Sequence, residues 1–256
     1  MAEIEQNPLS KVPEVTAAFW VTKVLTTGMG ETTADYLVHQ IDPPVAVGLA
    51  GLGLLAALLL QFAVRRYVAW VYWLAVVMVS IFGTMAADAV HVGLGVPYLV
   101  STVAFVLVLA AVFVVWRATE KSLSIHSIVT RRREAFYWAT VLTTFALGTA
   151  AGDLTAMTFG LGYLASGIVF AVLIAIPAVA YRRFGMNATF AFWFAYILTR
   201  PLGASFADWA AVSPARGGLD LGTGPVSFVL ALAILALVAL LAARARESGR
   251  IVGLTH

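Results

Sequence analysis

The chain has no cysteine in its 256 residues, and only 11% of its positions are charged. Without cysteine there is neither a disulfide framework nor a thiolate metal site. Soluble domains carry about 25% charged residues, so this scarcity, beside 61% hydrophobic positions, excludes an ordinary water-soluble domain. Two catalytic signatures are missing as well: the HExxH zinc motif and the GxGD pair of intramembrane aspartyl proteases. The basic balance, a formal +3 with a pI near 9.3, does not point to nucleic acid. Its Lys and Arg residues fall in short clusters between apolar runs, the pattern that orients a membrane protein. The acidic, polar N-terminal stretch precedes no small-residue cleavage pattern, so a cleaved leader is not expected.

What is present is apolar sequence of spanning length. A transmembrane helix needs roughly 20 apolar residues, and 45–64, 96–116, 161–180 and 225–243 supply them. Alternating with these runs are four segments in one gapless register: 19-FWVTKVLTTGMGETTAD-35, 72-YWLAVVMVSIFGTMAAD-88, 137-YWATVLTTFALGTAAGD-153 and 192-FWFAYILTRPLGASFAD-208. In each, an aromatic residue precedes Trp, Asp follows Trp by 15 residues, and a Gly stands five before the Asp. Such a register in four copies marks an internal repeat. The repeats are read as 13–64, 67–116, 132–181 and 187–243 within one integral membrane domain, 1–256. The first and third Asp are 118 residues apart and the second and fourth 120, so two duplicated halves also remain open.

The expected fold class is an all-α polytopic membrane protein with eight transmembrane helices, arranged as four parallel two-helix repeats. The odd helices carry the ionisable residues and are placed inside; the even helices face lipid. Arg65 and Arg66, then Arg117, Lys121 and Arg131–Arg133, then Arg182 and Arg183, and finally Arg244, Arg246 and Arg250 fall on one side. The opposite loops hold Arg216 as their single Lys or Arg. The positive-inside rule then places both termini in the cytoplasm. Each Trp lies near that face, and each Asp stands roughly 22 Å above its Trp at 1.5 Å per residue.

A charge within a bilayer costs several kcal/mol, so Glu31, Asp35, Asp88, Asp153 and Asp208 are candidate functional residues. They are five acids against Lys23 and Arg200 on the odd helices. The residue four before each Asp shares its helix face, which adds the Thr84 and Thr149 hydroxyls to Glu31, with Ala204 in the fourth repeat. The four Asp are expected to converge on a common outward-leaning cavity. Excess carboxylate favours a cation, and carboxylate and hydroxyl oxygens suit hard ions such as Mg²⁺, Mn²⁺ or Ca²⁺. His39 and His91, at helix ends and expected to be exposed, extend the candidate metal ligands if they turn toward Asp35 and Asp88. The Gly of each repeat is expected to let helices approach closely. Arg200-Pro201 interrupts the fourth repeat, where proline removes a backbone hydrogen bond. Arg200 is read either as a gate or counter-ion to one Asp, or as a fixed salt bridge. Lys23 is expected to snorkel to the cytoplasmic surface, and the loop SLSIHSIVTRRREAF, His126 included, to be solvated.

The segments 11-KVPEVTAAFW-20 with GETTAD, LSIHSIVTRRREAFYW, TFALGTAAGDL and AYILTRPLGASFAD carry a family resemblance over nearly the whole chain. On them the chain resembles a bacterial family of uncharacterised membrane-anchored proteins with repeats. The resemblance implies a bacterial inner-membrane location and brings no activity with it. The E-φ-G-D signature of manganese and calcium exporter repeats is absent.

The functional expectation is a cation transporter or exporter, for a divalent metal of the Mn²⁺ or Mg²⁺ kind, with proton coupling open. Its partners are the bilayer, an inorganic cation and protons, and not nucleic acid. The alternatives are a membrane-embedded hydrolase or lipid-processing enzyme, and a structural or regulatory membrane protein whose buried acids only specify packing.

Overall fold

The computed structural model describes residues 10–253, with side chains described through Arg244. The N-terminal acidic stretch and the side chains of Arg246 and Arg250 lie outside the described residues. Among the described residues the fold is all-helical: α1 (Ala17–Gln40), α2 (Pro43–Ala63), α3 (Ala69–Asp88), α4 (Tyr98–Glu120), α5 (Arg131–Asp153), α6 (Gly162–Phe184), α7 (Ala188–Ala211) and α8 (Thr223–Gly253). Local chemistry sets several of these ends. Side-chain oxygens of Thr16, Thr130 and Asn187 cap α1, α5 and α7 by accepting from Phe19 N (3.3 Å), Arg133 N (3.3 Å) and Phe190 N (3.2 Å). Pro43 opens α2, where its missing N–H is harmless. Gly185, left-handed at φ 65°, ends α6. Pro201 does not break α7, which stays helical on both sides of it.

Two further turns, both π-helical, follow directly on repeat aspartates: Ala89–Gly93 after Asp88 and Leu154–Thr158 after Asp153. Helices α1 and α7 run on past Asp35 and Asp208 without one.

Among the described residues, five helices are long and apolar enough to cross a membrane: α2, α3 with its π turn, α4, α6 and α8. The protein is a polytopic all-α membrane protein. Helices α1, α5 and α7 are of similar length but more polar, and the packing explains why they can be. The four odd helices form a closed inner ring in which α1 packs on α3, α3 on α5, α5 on α7 and α7 on α1. The even helices form the outer layer, with large apolar side chains such as Leu52, Leu59, Leu107 and Val229 exposed to what would be lipid. Each even helix packs chiefly on the first helix of the following repeat: α2 on α3, α4 on α5, α6 on α7, and α8 back on α1. Of the ring and the two-halves arrangement, the molecule adopts the ring.

The repeat motif is the joint of that ring. The aromatic residue before each Trp lies against the Trp of the next odd helix. Phe19 meets Trp73 (5.8 Å between centroids), Tyr72 meets Trp138 (5.6 Å), Tyr137 meets Trp193 (6.1 Å) and Phe192 meets Trp20 (5.6 Å). Each motif glycine faces the residue seven after the Trp of the next odd helix: Gly30 faces Ser80, Gly83 faces Phe145, Gly148 faces Arg200 and Gly203 faces Thr27. A β-carbon at Gly83 would come 2.7 Å from Phe145 Cβ, and one at Gly203 would come 2.7 Å from the Val24 carbonyl. Only a residue without a side chain allows these approaches, as small residues do at membrane helix interfaces.

The Trp end is sealed by more than the ring. Lys11, ahead of α1, is buried in an ion pair with Glu134 at the start of α5, and Gln61 of α2 donates to the same carboxylate at 2.9 Å. The loop between α4 and α5 is not the solvated segment expected of it. Ile125, Ile128 and Glu134 are buried and Trp193 donates its indole N–H to the Leu123 carbonyl at 2.9 Å, while His126, Thr130, Arg131 and Arg132 face outward. An alternation of apolar residues within a basic loop was the available sign of this.

Candidate functional site

Counting from each Trp, the ring-facing residues recur every helical turn and form layers. Three residues on stand Lys23, Val76, Val141 and Tyr196, and seven on stand Thr27, Ser80, Phe145 and Arg200. Eleven on stand Glu31, Thr84, Thr149 and Ala204, and fifteen on the four Asp. The first two layers are fully buried, and the third is buried throughout. The aspartate layer is where the ring opens: Asp35, Asp88 and Asp153 are partly exposed, and Asp208 is buried at 7%.

In the third layer, residues of three repeats converge on a fourth. Arg200, rising one turn from below, donates from Nη2 to Glu31 Oε2, to Thr84 Oγ1 and to Thr149 Oγ1 (2.7 Å for the last). Its Nη1 reaches the Thr27 carbonyl at 3.4 Å, and its guanidinium carbon stands 5.4 Å from the Phe145 ring centre. Thr84 also donates to Glu31 Oε2 at 3.1 Å. Ala204, the fourth member of the layer, has no oxygen to add and is small. Arg200 is fully buried and Glu31 is 5% exposed, so the pair is a desolvated one held by extra hydrogen bonds, the condition under which such a pair is tolerated. Arg200 Nε has no partner.

The expected counter-ion role therefore falls differently: the partner of Arg200 is Glu31 and not an aspartate. Lys23 does not snorkel. It is fully buried, its Nζ lying 4.0 Å from the Phe145 ring centre and 4.5 Å from that of Tyr196, with no hydrogen-bond acceptor. The aromatic faces supply the favourable interaction that water would have given. Snorkelling fails because Lys23 points into the ring, fully buried against the Phe145 and Tyr196 side chains of other repeats.

The aspartates differ from every other motif residue. Among the described residues, no aspartate carboxylate of the set makes a hydrogen bond or ion pair with the protein. All four stand one helical turn beyond the Glu31 layer on their own helices, within electrostatic reach of both Glu31 and Arg200. Arg216, from the loop after α7, stands over this end and donates to the Tyr163 hydroxyl. No three His, Asp or Glu side chains among the described residues are close enough to share one metal ion. His39 is exposed and its Nδ1 bonds the Asp35 carbonyl at 2.6 Å. His91 is buried, against the expectation, because the π turn carries it toward α4; its Nδ1 pairs with the Ser101 hydroxyl at 3.0 Å and its ring lies on Tyr98. A surface pocket lies elsewhere, between α1 and α8, lined by Met29, Thr33, Tyr36, Pro225, Ser227 and Phe228.

The repeat register singles out Glu31, Thr84, Thr149 and Arg200 but does not show their contacts with one another. Thr27 and Phe145 carry no charge to draw notice, yet the same register places them in the layer of Arg200.

The family described as Repeat of Unknown Function (DUF347) matches the chain four times, at 18–67, 71–122, 136–187 and 191–247. No curated protein and no solved structure matches it. Most of the chain is covered by these four matches, and the chain belongs to this repeat family.

Proposed function

We propose that this member of the repeat family is a membrane transporter for a cation, with Asp35, Asp88, Asp153 and Asp208 as its receiving layer. The Glu31–Arg200 cluster forms the floor of that layer. One observation carries the reading. Of the residues kept in register through all four repeats, the aromatic–Trp pair and the glycine are accounted for by contacts across the ring, whereas the aspartate carboxylates make no hydrogen bond or ion pair among the described residues. A packing device would bond the helix beside it. A carboxylate set kept at one level and left unpaired is poised for a ligand of opposite charge, which is why ionisable groups in membranes mark ion pathways.

A divalent metal is the first candidate for the cargo. Carboxylates that stand around a ring rather than in one cluster suit an ion that keeps part of its water, as Mg²⁺ does with one or two carboxylates. Mn²⁺ shares that oxygen preference, and the same carboxylates offer protons a place in a coupled cycle. The positions of the basic clusters support a cytoplasmic Trp end with both termini on that side and the aspartates opening outward; the family resemblance supports the bacterial inner membrane as the site of action.

The test is a set of single Asn replacements at the four Asp, with cell content of Mg and Mn measured beside melting of the purified proteins in each ion. One ion is expected to raise the wild-type melting temperature, as any ligand specific to the native state must. That rise and the ion balance of the cell are both expected to fail in the variants. Unaltered metal content and unaltered ion stabilisation in well-expressed variants would overturn the reading.

A further inference from the structure

We infer that Glu31, Thr84 and Thr149 form a cation site of their own, shaped for a guanidinium-type ion, and that Arg200 is its tethered and replaceable occupant. The inference deepens the transport reading and rests on it for one consequence: a cation passing beyond the aspartates has to take the place of Arg200 at Glu31.

The site is built from three repeats and occupied by the fourth. Three side-chain oxygens from α1, α3 and α5 meet a single terminal nitrogen of Arg200, the Thr27 carbonyl reaches the other, and Phe145 presents its ring to the guanidinium. A carboxylate, two hydroxyls, a carbonyl and an aromatic face together recognise a planar cation by charge, hydrogen bonding and ring stacking. None of these groups lies on α7 itself, so the binding site stays whole when its occupant is removed. Repeat symmetry points the same way. Where the first three repeats place Glu31, Thr84 and Thr149, the fourth places Ala204, and the cation enters the layer from Arg200 one turn earlier.

The hold on Arg200 is uneven. Its terminal nitrogens take all four acceptors, the two N–H groups of Nη2 being shared among Glu31, Thr84 and Thr149, and Nε, although buried, has no partner among the described residues. A guanidinium serving only as a permanent tie would be expected to use its Nε–H as well, because an unspent donor in a desolvated site is costly. The cluster is also adjacent to the one ring layer that opens, with all four aspartates in electrostatic reach of Arg200. An arriving cation and the guanidinium would thus compete for Glu31 on the side where the carboxylates stand.

The experiment empties the site and refills it. Arg200→Ala, purified in detergent, is melted in millimolar guanidinium chloride and in sodium chloride of equal ionic strength. The variant is expected to melt several degrees below wild type in sodium, and guanidinium is expected to return a large part of that loss in a saturable way. Adding Glu31→Gln to Arg200→Ala should abolish the return. Arg200→Lys, which keeps a tethered charge in place, should gain nothing from guanidinium. If Arg200→Ala is recovered folded only when cells are extracted in guanidinium, the inference is supported. It is overturned if the variant is never recovered folded in either salt, if sodium and guanidinium act alike, or if Arg200→Lys gains as much as Arg200→Ala. The aspartate series reads cation handling and this series reads occupancy of one site, so either can fail while the other stands.

Discussion

The two ends of the inner ring use the same repeat in opposite ways. At the Trp end every motif residue is tied. Aromatic rings lie on the next helix's Trp all the way round, Tyr72 and Tyr137 share a hydroxyl hydrogen bond at 2.5 Å, and Lys11, Glu134 and Gln61 lock the entrance. At the Asp end the equally regular carboxylates make no hydrogen bond or ion pair among the described residues, and two of the four helices slip into π turns directly after them. Such turns recur at functional sites. Four copies of one sequence thus supply a symmetric scaffold below and an open, acidic layer above. Symmetry is broken in between, where the first repeat contributes Glu31 and Lys23 and the fourth contributes Arg200.

The heaviest blow to the tied half should come from that broken layer. Glu31→Gln removes the carboxylate bonded to the fully buried Arg200 guanidinium. Stranding one member of a buried pair costs about 3–5 kcal/mol. Thermal or denaturant unfolding in detergent should therefore show a loss of that order for Glu31→Gln. Replacing both members, Glu31→Gln with Arg200→Met, should recover much of it. A single variant as stable as wild type would mean that the pair holds nothing.

Next in size is a contrast between two glycines one turn apart on α5. A β-carbon at Gly148 would fall inside the Arg200 side chain and 3.0 Å from Pro201 Cδ, whereas one at Gly152 would find only Ser205 Oγ at 4.0 Å. Overpacking of this kind costs about 1–3 kcal/mol, so Gly148→Ala should be destabilised by that amount. Gly152→Ala should stay within about 0.5 kcal/mol of wild type or gain slightly, since Ala outranks Gly in a helix. Equal effects at the two positions would remove the structural account of the motif glycine.

Much of this organisation was legible in the sequence because a gapless repeat is a geometric statement. It placed the Trp, Gly and Asp of four helices at equal heights, which is enough to expect an inner set of odd helices and a shared acidic level. It could not say that α2 would pack on α3, or that α8 would close the ring on α1, because lipid-facing helices of uniform apolar composition carry no address. Lys23 was misplaced for a related reason. Its height on α1 was readable, but the direction it faces depends on which neighbours fill the ring, and Phe145 and Tyr196 come from other repeats. His91 escaped because a π turn re-aims one side chain without leaving a clear trace in composition. Arg200 was seen as a candidate, yet its partner depended on reach: the side chain climbs one turn and ends level with Glu31, short of the aspartates.

The smallest expected effect is the sharpest for the open half. Asp88 is partly exposed, makes no hydrogen bond or ion pair among the described residues, and stands next to a π turn held by its own backbone bonds, such as Leu94 N to Ala89 O at 3.0 Å. Asparagine has nearly the same shape and removes only the charge. If the carboxylate awaits a ligand, Asp88→Asn in an ion-free buffer should leave stability within about 0.5 kcal/mol of wild type, as surface changes do. A small gain would be consistent too, because one negative charge among several is removed. The same variant should lose whatever stabilisation the cargo ion gives wild type. A loss in ion-free buffer as large as that of Gly148→Ala would place Asp88 among the tied residues and erase the difference between the two ends. Asp208, the most buried of the four, is the place where such a loss would first be seen, so its Asn variant sets the upper bound for the set.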